Sequence, residues 1–265
     1  MEAIDIAEKA QEEKEDGVKS RPVGSVHRFW ICAGPLFESV LFMAGGVALS
    51  EISEYLGESA AEDGASQKKL LSSGKMDRHN LRFFDADGAM VNEVSLLLPR
   101  GKASCFELGP FLSSAKLEGG LQHGLLEVSS TVVSSAECRM QALRSSSRLG
   151  APTPLTNRKS TFLPVGLSKE REQLVVLTNY ADERVAVKCR FFKGKRNPEF
   201  DVILPAKGSR VFGVRSEFAD YIDLTRDEVQ DAYVRLSTRS EGVVGVQLLE
   251  RIASKRETGV FTSIS

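Results

Sequence analysis

The amino-acid sequence predicts an all-β protein made of two tandem antiparallel β-sandwiches of similar topology. The prediction also includes an acidic N-terminal tail and a partly helical or disordered insertion in the first sandwich. Two observations support it. The chain matches itself, with residues 81–84 corresponding to 189–192 and residues 126–129 to 234–237, and such a repeat indicates one folding unit used twice. Short segments in each copy also alternate apolar and polar residues.

The second copy has the clearest strand pattern. Val185, Val187 and Cys189 alternate with polar residues, and a period of two places one set of side chains in a core and the other in solvent. Turn-forming residues separate such segments, as at residues 85–88 and 193–195. Each copy of about 100 residues therefore contains about seven short strands, which fits an antiparallel sandwich.

The domain boundaries follow from the matched segments. Residues 1–22 are the acidic tail, helical or disordered, and residues 23–145 are the first sandwich, with an insertion at 50–79 that the second copy lacks. Residues 146–159 contain Ser, Gly and Pro and are predicted to be a linker. Residues 160–265 are the second sandwich.

The apolar stretch at residues 29–49 is predicted to belong to the first sandwich. It carries one charge, Glu38, and contains Pro35 and several glycines, which argues against a membrane span. A span or a membrane contact by this stretch is the alternative.

Several residues of the second copy, with residues 85–88 and 98–99 of the first, resemble the immunoglobulin-like or fibronectin-III-like β-sandwich repeats of bacterial proteins. The residues concerned are Leu177, Thr178, Asn179, Asp182, Val185, Phe191, Phe192, Leu204, Pro205, Val243 and Val244. The resemblance covers residues 24–145 and 160–253 and implies the sandwich fold.

The balanced charge argues against nucleic acid as a partner. The chain has 35 Lys and Arg against 36 Asp and Glu, a formal net charge of −1, whereas nucleic acids are bound by concentrated positive charge. The first 16 residues include seven acids, unlike the basic start of a secretory signal. We therefore predict a cytoplasmic, thiol-reducing location.

No cofactor, metal site or catalytic residue is predicted. The three histidines and four cysteines do not have zinc-ligand spacing. Each cysteine aligns with an apolar residue of the other copy, as Cys105 does with Val211, so all four are expected in the core. The histidines are expected on the surface or in loops. Aromatic residues make up 7% of the chain, too few to predict a stacking platform for sugars or single strands.

These observations favour a non-catalytic structural or protein-interaction protein that could assemble with itself. A carbohydrate- or envelope-binding module and an enzyme with an active site not visible in the sequence are the alternatives. Two segments supply candidate partner-binding residues, because the C-terminal segment is uncharged and rich in β-branched residues and one hairpin is basic. The candidates are Val260, Phe261 and Ile264 in the C-terminal segment, and Lys193, Lys195 and Arg196 in the hairpin.

Overall fold

The structure is a computed structural model that describes the greater part of both predicted sandwiches. It describes residues 24–34, 37–44, 76–100, 102–112, 117–118, 121–130, 132, 134–142, 145–149, 152–155, 160–168, 171–193, 197–222, 228–252 and 262–264. The predicted acidic tail at 1–22 lies outside these ranges, as does most of the insertion. Within them the all-β prediction is confirmed, and no helix is long and apolar enough to cross a membrane.

The first half is a nine-stranded antiparallel sheet that folds over on itself. Its strands are β1 (Ser25–Gly34), β2 (Phe37–Ala44), β3 (Met76–Asp85), β4 (Met90–Pro99), β5 (Ala103–Glu107), β6 (Leu117–Glu118), β7 (Leu121–Ser130), β8 (Ser135–Ala142) and β9 (Ser145–Leu149). We call β4-β3-β7-β1 sheet A and β5-β2-β8-β9 sheet B. Strands β1 and β2 pair only at their hairpin, so the sheet bends there and A and B enclose the first core.

The second half consists of two separate antiparallel sheets around a second core. Its strands are β10 (Thr153–Pro154), β11 (Thr161–Ser168), β12 (Arg171–Asn179), β13 (Val185–Phe192), β14 (Glu199–Leu204), β15 (Ser209–Gly213), β16 (Glu228–Thr238), β17 (Val244–Ile252) and β18 (Thr262–Ile264), with a short helix α1 (Val214–Glu217). We call β15-β12-β17-β10, to which β18 adds on β17, sheet C. We call β14-β13-β16-β11 sheet D.

The strand order of sheet D follows that of sheet A, and β15-β12-β17 in sheet C follows β5-β2-β8 in sheet B. The registers also agree. Leu126 of β7 lies opposite Phe83 of β3, and Val234 of β16 lies opposite Phe191 of β13. These matched sequence segments therefore occupy corresponding places in their sheets, and the two halves as tandem copies of one domain stay a prediction.

Sheets A and C pack against each other through their outer faces, which joins the two halves. Trp30 of sheet A is 1% exposed, and it belongs to the same buried cluster as Val176 and Leu249 of sheet C. On the other face of sheet C, Val175 and Leu177 belong to the second core. Sheet C is therefore apolar on both faces, as a sheet covered on both sides must be.

A buried carboxylate lies at this junction. Glu127 of β7, 2% exposed, accepts hydrogen bonds from Arg28 Nε at 3.0 Å and Arg82 Nη2 at 2.9 Å. Lys207 of the second half reaches the same carboxylate at 3.2 Å and donates to the carbonyl oxygen of Tyr180. The Arg28 guanidinium also lies 5.2 Å from the centre of the Tyr180 ring. A buried carboxylate needs such partners, because isolated charge is costly away from water.

Several boundaries differ from those predicted. Strand β3 begins at Met76, so the last four residues of the insertion predicted at 50–79 belong to a paired strand. The predicted linker at 146–159 contains most of β9 and all of β10, which pair with β8 and β17. Its Leu149 and Leu155 are each 1% exposed. Ser and Pro are compatible with edge strands, which is why composition alone suggested a free linker.

Two side-chain predictions are wrong in part. Cys32, Cys138 and Cys189 are buried as expected, but Cys105 is exposed. It lies on the outer face of sheet B, whereas its aligned residue Val211 lies on the outer face of sheet C, which the first half covers. His79 and His123 are buried inside strands, although both were expected on the surface or in loops, and His123 lies against Ser209 of the second half.

Candidate functional site

Sheet D has one face on the second core and the other in solvent. On β13, Val187, Cys189 and Phe191 are buried, so the side chains between them point outward, because successive residues of a strand alternate between faces. The outward residues include Arg190 and Phe192. Their cross-strand neighbours come from β16, β11 and β14, so segments distant in sequence form one surface.

Three aromatic side chains from three strands meet on this face. We call Phe162, Phe192 and Tyr233 the aromatic cluster. Phe192 and Tyr233 lie opposite each other on β13 and β16, and their stacked rings have centroids 4.7 Å apart. Phe162 packs edge-on against Tyr233, with centroids 5.4 Å apart. Phe162 remains 57% exposed and Tyr233 39%. Contiguous exposed apolar groups are typical of a binding surface.

The aromatic cluster borders two arginines in different electrostatic situations. Arg190 and Arg235 lie directly opposite each other on β13 and β16. Arg190 forms an ion pair with Glu199, which also receives Lys188 Nζ at 3.3 Å. Hydrogen bonds from Arg190 and then Lys188 lower the pKa of Glu199 below its usual value. The charge of Arg190 is therefore balanced on the sheet itself.

Arg235 has a different partner. Its Nε donates to the hydroxyl of Ser160 at 2.6 Å, and no carboxylate within ion-pair distance is seen among the described residues. Its cross-strand neighbours are Phe162 on one side and Arg190 on the other. Like charges placed directly opposite each other in a sheet repel. Arg235 is thus a partly exposed cation between an aromatic ring and a second cation, and the acceptor seen for it among the described residues is a neutral hydroxyl.

The ring orientations limit what this face can bind. The rings of Phe192 and Tyr233 are nearly parallel, with an interplanar angle of 15°. Each ring therefore covers one face of the other, and a ligand would contact mainly the ring edges. Ile203, 53% exposed on β14, lies on the same face but opposite Ala186, at the other end of β13 from Phe192, and so is not part of the aromatic cluster. The surface is therefore an apolar patch with a neighbouring cation and lacks a row of flat, open ring faces.

The structure describes two of the six predicted partner-binding residues. Lys193 lies just after β13, next to Phe192 of the aromatic cluster, and is partly exposed. Ile264 belongs to β18 and pairs with Leu248 of its own chain. Val260, Phe261, Lys195 and Arg196 lie outside the described residues. Partner binding by all six residues stays a prediction.

Sequence reasoning missed the aromatic cluster and Arg235. The 7% aromatic content gave no reason to expect a patch, because the three rings are separated by many residues along the chain. One signal was present. Tyr233 stands at an outward position of the alternating segment 232–236, where a polar residue is expected if that face only meets solvent. The positions of Phe162 and Phe192 on either side of Tyr233 follow from the strand order, which the sequence alone does not give.

The buried titratable groups are a second candidate for a reactive site. His79 is completely buried, and neither ring nitrogen has a hydrogen-bond partner among the described residues. Burial is the main cause of its lowered pKa, with Asp77 opposing and His27 reinforcing that shift. His27 itself bonds to the main-chain carbonyl of Ser134 at 2.8 Å. In the part of the chain that the structure describes, no three such groups converge closely enough to hold a metal ion.

One cleft and the buried thiols, among the described residues, do not form a reactive arrangement. A cleft of about 250 Å³ between β1 and the β10 segment is lined by Val26, His27, Arg28, Phe29, Ala136, Pro152, Pro154 and Tyr180. Its Arg28 is held by Glu127. Burial raises the pKa of the Cys32 and Cys189 thiols to about 12, so neither forms the nucleophilic thiolate near neutral pH.

Comparisons with known proteins found little. No family model matches the chain, and no curated protein matches it. Three solved structures of a β-glucuronidase from Bacteroides uniformis align with it at a TM-score of 0.16. The complex of β-glucuronidase 2 with cyclophellitol-6-carboxylate aziridine is 12% identical and covers 92% of this chain and 26% of its own. A calcium-binding mutant of that enzyme is 14% identical, over 89% and 32% of the two chains.

The third structure, of a Bacteroides uniformis β-glucuronidase, is 11% identical over 92% of this chain and 26% of its own. The present chain thus spans between a quarter and a third of the length of those enzymes. Likeness at this level gives no ground for transferring an activity.

Proposed function

We propose that this protein is a non-catalytic structural or interaction protein that binds another protein through the aromatic cluster and Arg235. The observation that carries the proposal is the exposed aromatic patch beside a cation that lacks a carboxylate partner among the described residues. Aromatic residues and arginine are enriched at the centres of protein interfaces, where they contribute most of the binding energy. The same proposal includes a cytoplasmic location. It also includes immunoglobulin-like sandwiches that act as the scaffold for binding.

Carbohydrate binding is the second candidate, because exposed aromatic rings also bind sugars. A sugar ring stacks on an aromatic face that is open to solvent, as a nucleic-acid base does. Phe192 and Tyr233 use a face of each ring for their own stack, and Phe162 alone is more than half exposed. A protein surface can instead pack against the edges of these rings. The ring geometry therefore favours a protein partner.

Enzymatic activity is the weakest of the three readings. A catalytic nucleophile needs a base within hydrogen-bond reach, and the described histidines do not provide such a pair with an exposed thiol or hydroxyl. His123 Nδ1 lies 2.9 Å from Ser209 Oγ, but both residues are buried at the junction of the two halves. We therefore assign them a structural role in joining sheet A to sheet C.

The proposal is tested by affinity capture with a variant of the patch. Phe162→Glu places a charge in the aromatic cluster at an exposed position, and the full chain carrying it should fold. Leu97→Glu is the matched control, because Leu97 is 56% exposed on β4 of the other half. We expect defined protein partners, other copies of the chain included, to be lost with Phe162→Glu and kept with Leu97→Glu. Retention on polysaccharide matrices that only Phe162→Glu abolishes would instead support the carbohydrate reading.

A further inference from the structure

Strand β1 forms an edge of sheet A over most of its length. It pairs with β7 almost throughout, but with β2 only at its last two residues. The main-chain N–H of Cys32 points away from β7, because it donates to Ser39 Oγ of β2 at 2.9 Å. Main-chain groups alternate between the two sides of an antiparallel strand, so the N–H and C=O groups of Val26 and Arg28 also point away from β7. Among the described residues, no hydrogen-bond partner is seen for these groups.

The cleft of about 250 Å³ lies at this edge. Four consecutive residues of β1, Val26 to Phe29, line it. Pro152 and Pro154 line it as well, and they cannot donate a main-chain hydrogen bond to β1 because proline has no N–H. Val26 is 55% exposed, and the side chain of Arg28 is 41% exposed. The edge of β1 is therefore accessible from solvent at these residues.

The corresponding edge of the second half is protected against pairing. Strand β11 occupies the place in sheet D that β1 occupies in sheet A. It contains Pro164 within the strand, and the main-chain N–H of its Gly166 donates to the side chain of Gln173 at 2.9 Å. Proline in an edge strand is a common protection against pairing with another chain. Strand β1 contains no proline, so it lacks this protection.

A row of alternating charges crosses sheet A and ends at the same edge. Glu93 of β4 lies opposite Arg82 of β3. Arg82 in turn lies opposite Glu127 of β7, which lies opposite Arg28 of β1. Opposite charges that face each other across strands stabilise a sheet, whereas like charges destabilise it. A strand added to β1 would place a residue opposite Arg28, and a carboxylate at that position would continue the alternation.

The ion pairs around Glu127 also leave room for a further carboxylate. Arg28, Arg82 and Lys207 all contact Glu127. The second acid at this place is Asp182, which is 3.5 Å from Lys207. Three cations therefore share two carboxylates. Arg28 uses its Nε for Glu127, and no acceptor for its Nη groups is seen in the part of the chain that the structure describes. A guanidinium can bind a second carboxylate through those groups.

We infer that the free edge of β1 binds an extended segment of another protein, which adds to sheet A as an antiparallel strand. The segment has Asp or Glu opposite Arg28, with an apolar residue on each side of it. Those apolar residues point to the opposite face of the sheet, where Phe29 and Ala136 line the cleft. Main-chain hydrogen bonds provide affinity in this mode of binding, and side-chain contacts provide specificity. The site lies in the other half from the aromatic cluster and does not depend on the proposed function.

The test measures the binding of short peptides with blocked ends to the full chain by isothermal titration calorimetry. A peptide of alternating valine and glutamate should bind about tenfold to a hundredfold more tightly than one of alternating valine and lysine, the effect of one charge-assisted hydrogen bond. Two methylated forms of the glutamate peptide test the main-chain pairing. In the antiparallel register the glutamate N–H groups face β1, so methylating these nitrogens should abolish binding. Methylating the valine nitrogens, which face away, should preserve it.

Variants of the full chain locate the site. Val26→Pro removes one N–H from the free edge and leaves the bonds to β7 in place, so it should weaken binding of the glutamate peptide by about twofold to tenfold, the effect of one main-chain hydrogen bond. Val26→Thr keeps the N–H and should bind more tightly than Val26→Pro. Amide exchange of the unmodified chain, followed by NMR, is a second measurement. The peptide should slow exchange at Val26 and Arg28 and leave His27, whose N–H faces β7, unchanged. Phe162→Glu, in the other half, should bind the peptide as the unmodified chain does.

Four results overturn the inference. Failure of the glutamate peptide to bind at millimolar concentration would show that the edge accepts no strand or is already occupied by the chain itself. Equal binding of the lysine peptide would refute the role of Arg28. Equal binding of the two methylated peptides would exclude main-chain pairing. Loss of peptide binding in Phe162→Glu would place the peptide on the aromatic cluster. Capture of a partner through the aromatic cluster, with no peptide bound at β1, would leave the proposed function standing and refute this site alone.

Discussion

The contact between the two halves can be tested with a pair of glycine substitutions that differ in one respect. Gly88 and Gly242 both have positive φ, at 83° and 69°, a region that costs other residues about 1–2 kcal/mol. Gly88 lies in the β3–β4 hairpin against the turn before β15, and a Cβ placed there would lie 1.8 Å from the carbonyl oxygen of Ala206. A Cβ on Gly242 would meet no atom within 4 Å.

The magnitudes follow from these contacts. Gly242→Ala should cost only the conformational term, about 1–2 kcal/mol. Gly88→Ala has the same conformational cost and also forces the β3–β4 hairpin away from the turn before β15. The carbonyl oxygen of Ala86 then loses its hydrogen bonds from Ser209 N at 3.0 Å and Arg210 Nη1 at 2.9 Å, each worth about 0.5–1.5 kcal/mol net. The additional cost is therefore about 1–3 kcal/mol.

Differential scanning calorimetry of both variants measures this difference. For a cooperative unit of this size, 1 kcal/mol lowers Tm by about 2–4 °C, so Gly88→Ala should melt about 2–12 °C below Gly242→Ala. Equal melting temperatures would refute the packing of the β3–β4 hairpin on the second half. Two resolved transitions in Gly88→Ala alone would show the halves unfolding separately once their contact is broken.

Three further predictions concern single side chains. Because the pKa of His79 is lowered in the folded protein, the unfolded chain binds more protons below about pH 6.5. The free energy of unfolding should therefore fall with decreasing pH, by up to about 1.4 kcal/mol per pH unit. Urea titrations of His79→Leu should show a smaller pH dependence, and an unchanged dependence would contradict this prediction. Glu127→Gln should destabilise by about 1.5–3 kcal/mol in chemical denaturation, against less than about 1 kcal/mol for Glu137→Gln, an exposed pair with Arg139; similar losses would mean that burial of Glu127 is unimportant. Cys105→Ser should stay within about 0.5 kcal/mol, whereas Cys138→Ser leaves a hydroxyl in the core and should cost about 1–3 kcal/mol; the reverse order would place the wrong cysteine in the core.

The strands were predictable because their periodicity is a local property. Val185, Val187 and Cys189 alternate with polar residues in the sequence, and all three are buried in β13. The matched segments 126–129 and 234–237 also occupy corresponding registers in β7 and β16. A pattern of two residues determines which side chains share a face, so the core of each half could be anticipated without its topology.

The outer faces were not predictable, because what covers a sheet is a long-range property. Cys105 and Val211 align in the sequence, yet one is exposed and the other lies against the first core. The same holds for the buried His123, which meets Ser209 from the other half. The alternation in the sequence places Cys105 and Val211 on the outer faces of their sheets correctly. It does not indicate that another sheet covers Val211 while Cys105 stays exposed.

The differences between corresponding outward residues follow this coverage. On the covered sheet A, Trp30 and Leu125 lie opposite each other and are buried, and Glu127 has three cationic partners. On sheet D the corresponding row holds Pro164 and Tyr233, with Arg235 in the next row. A face that met only water would need neither Tyr233 nor Phe162, since polar residues at outward positions serve solubility better. Exposed rings at those positions, beside a cation of the opposite sign to Glu127, support the proposed protein interface.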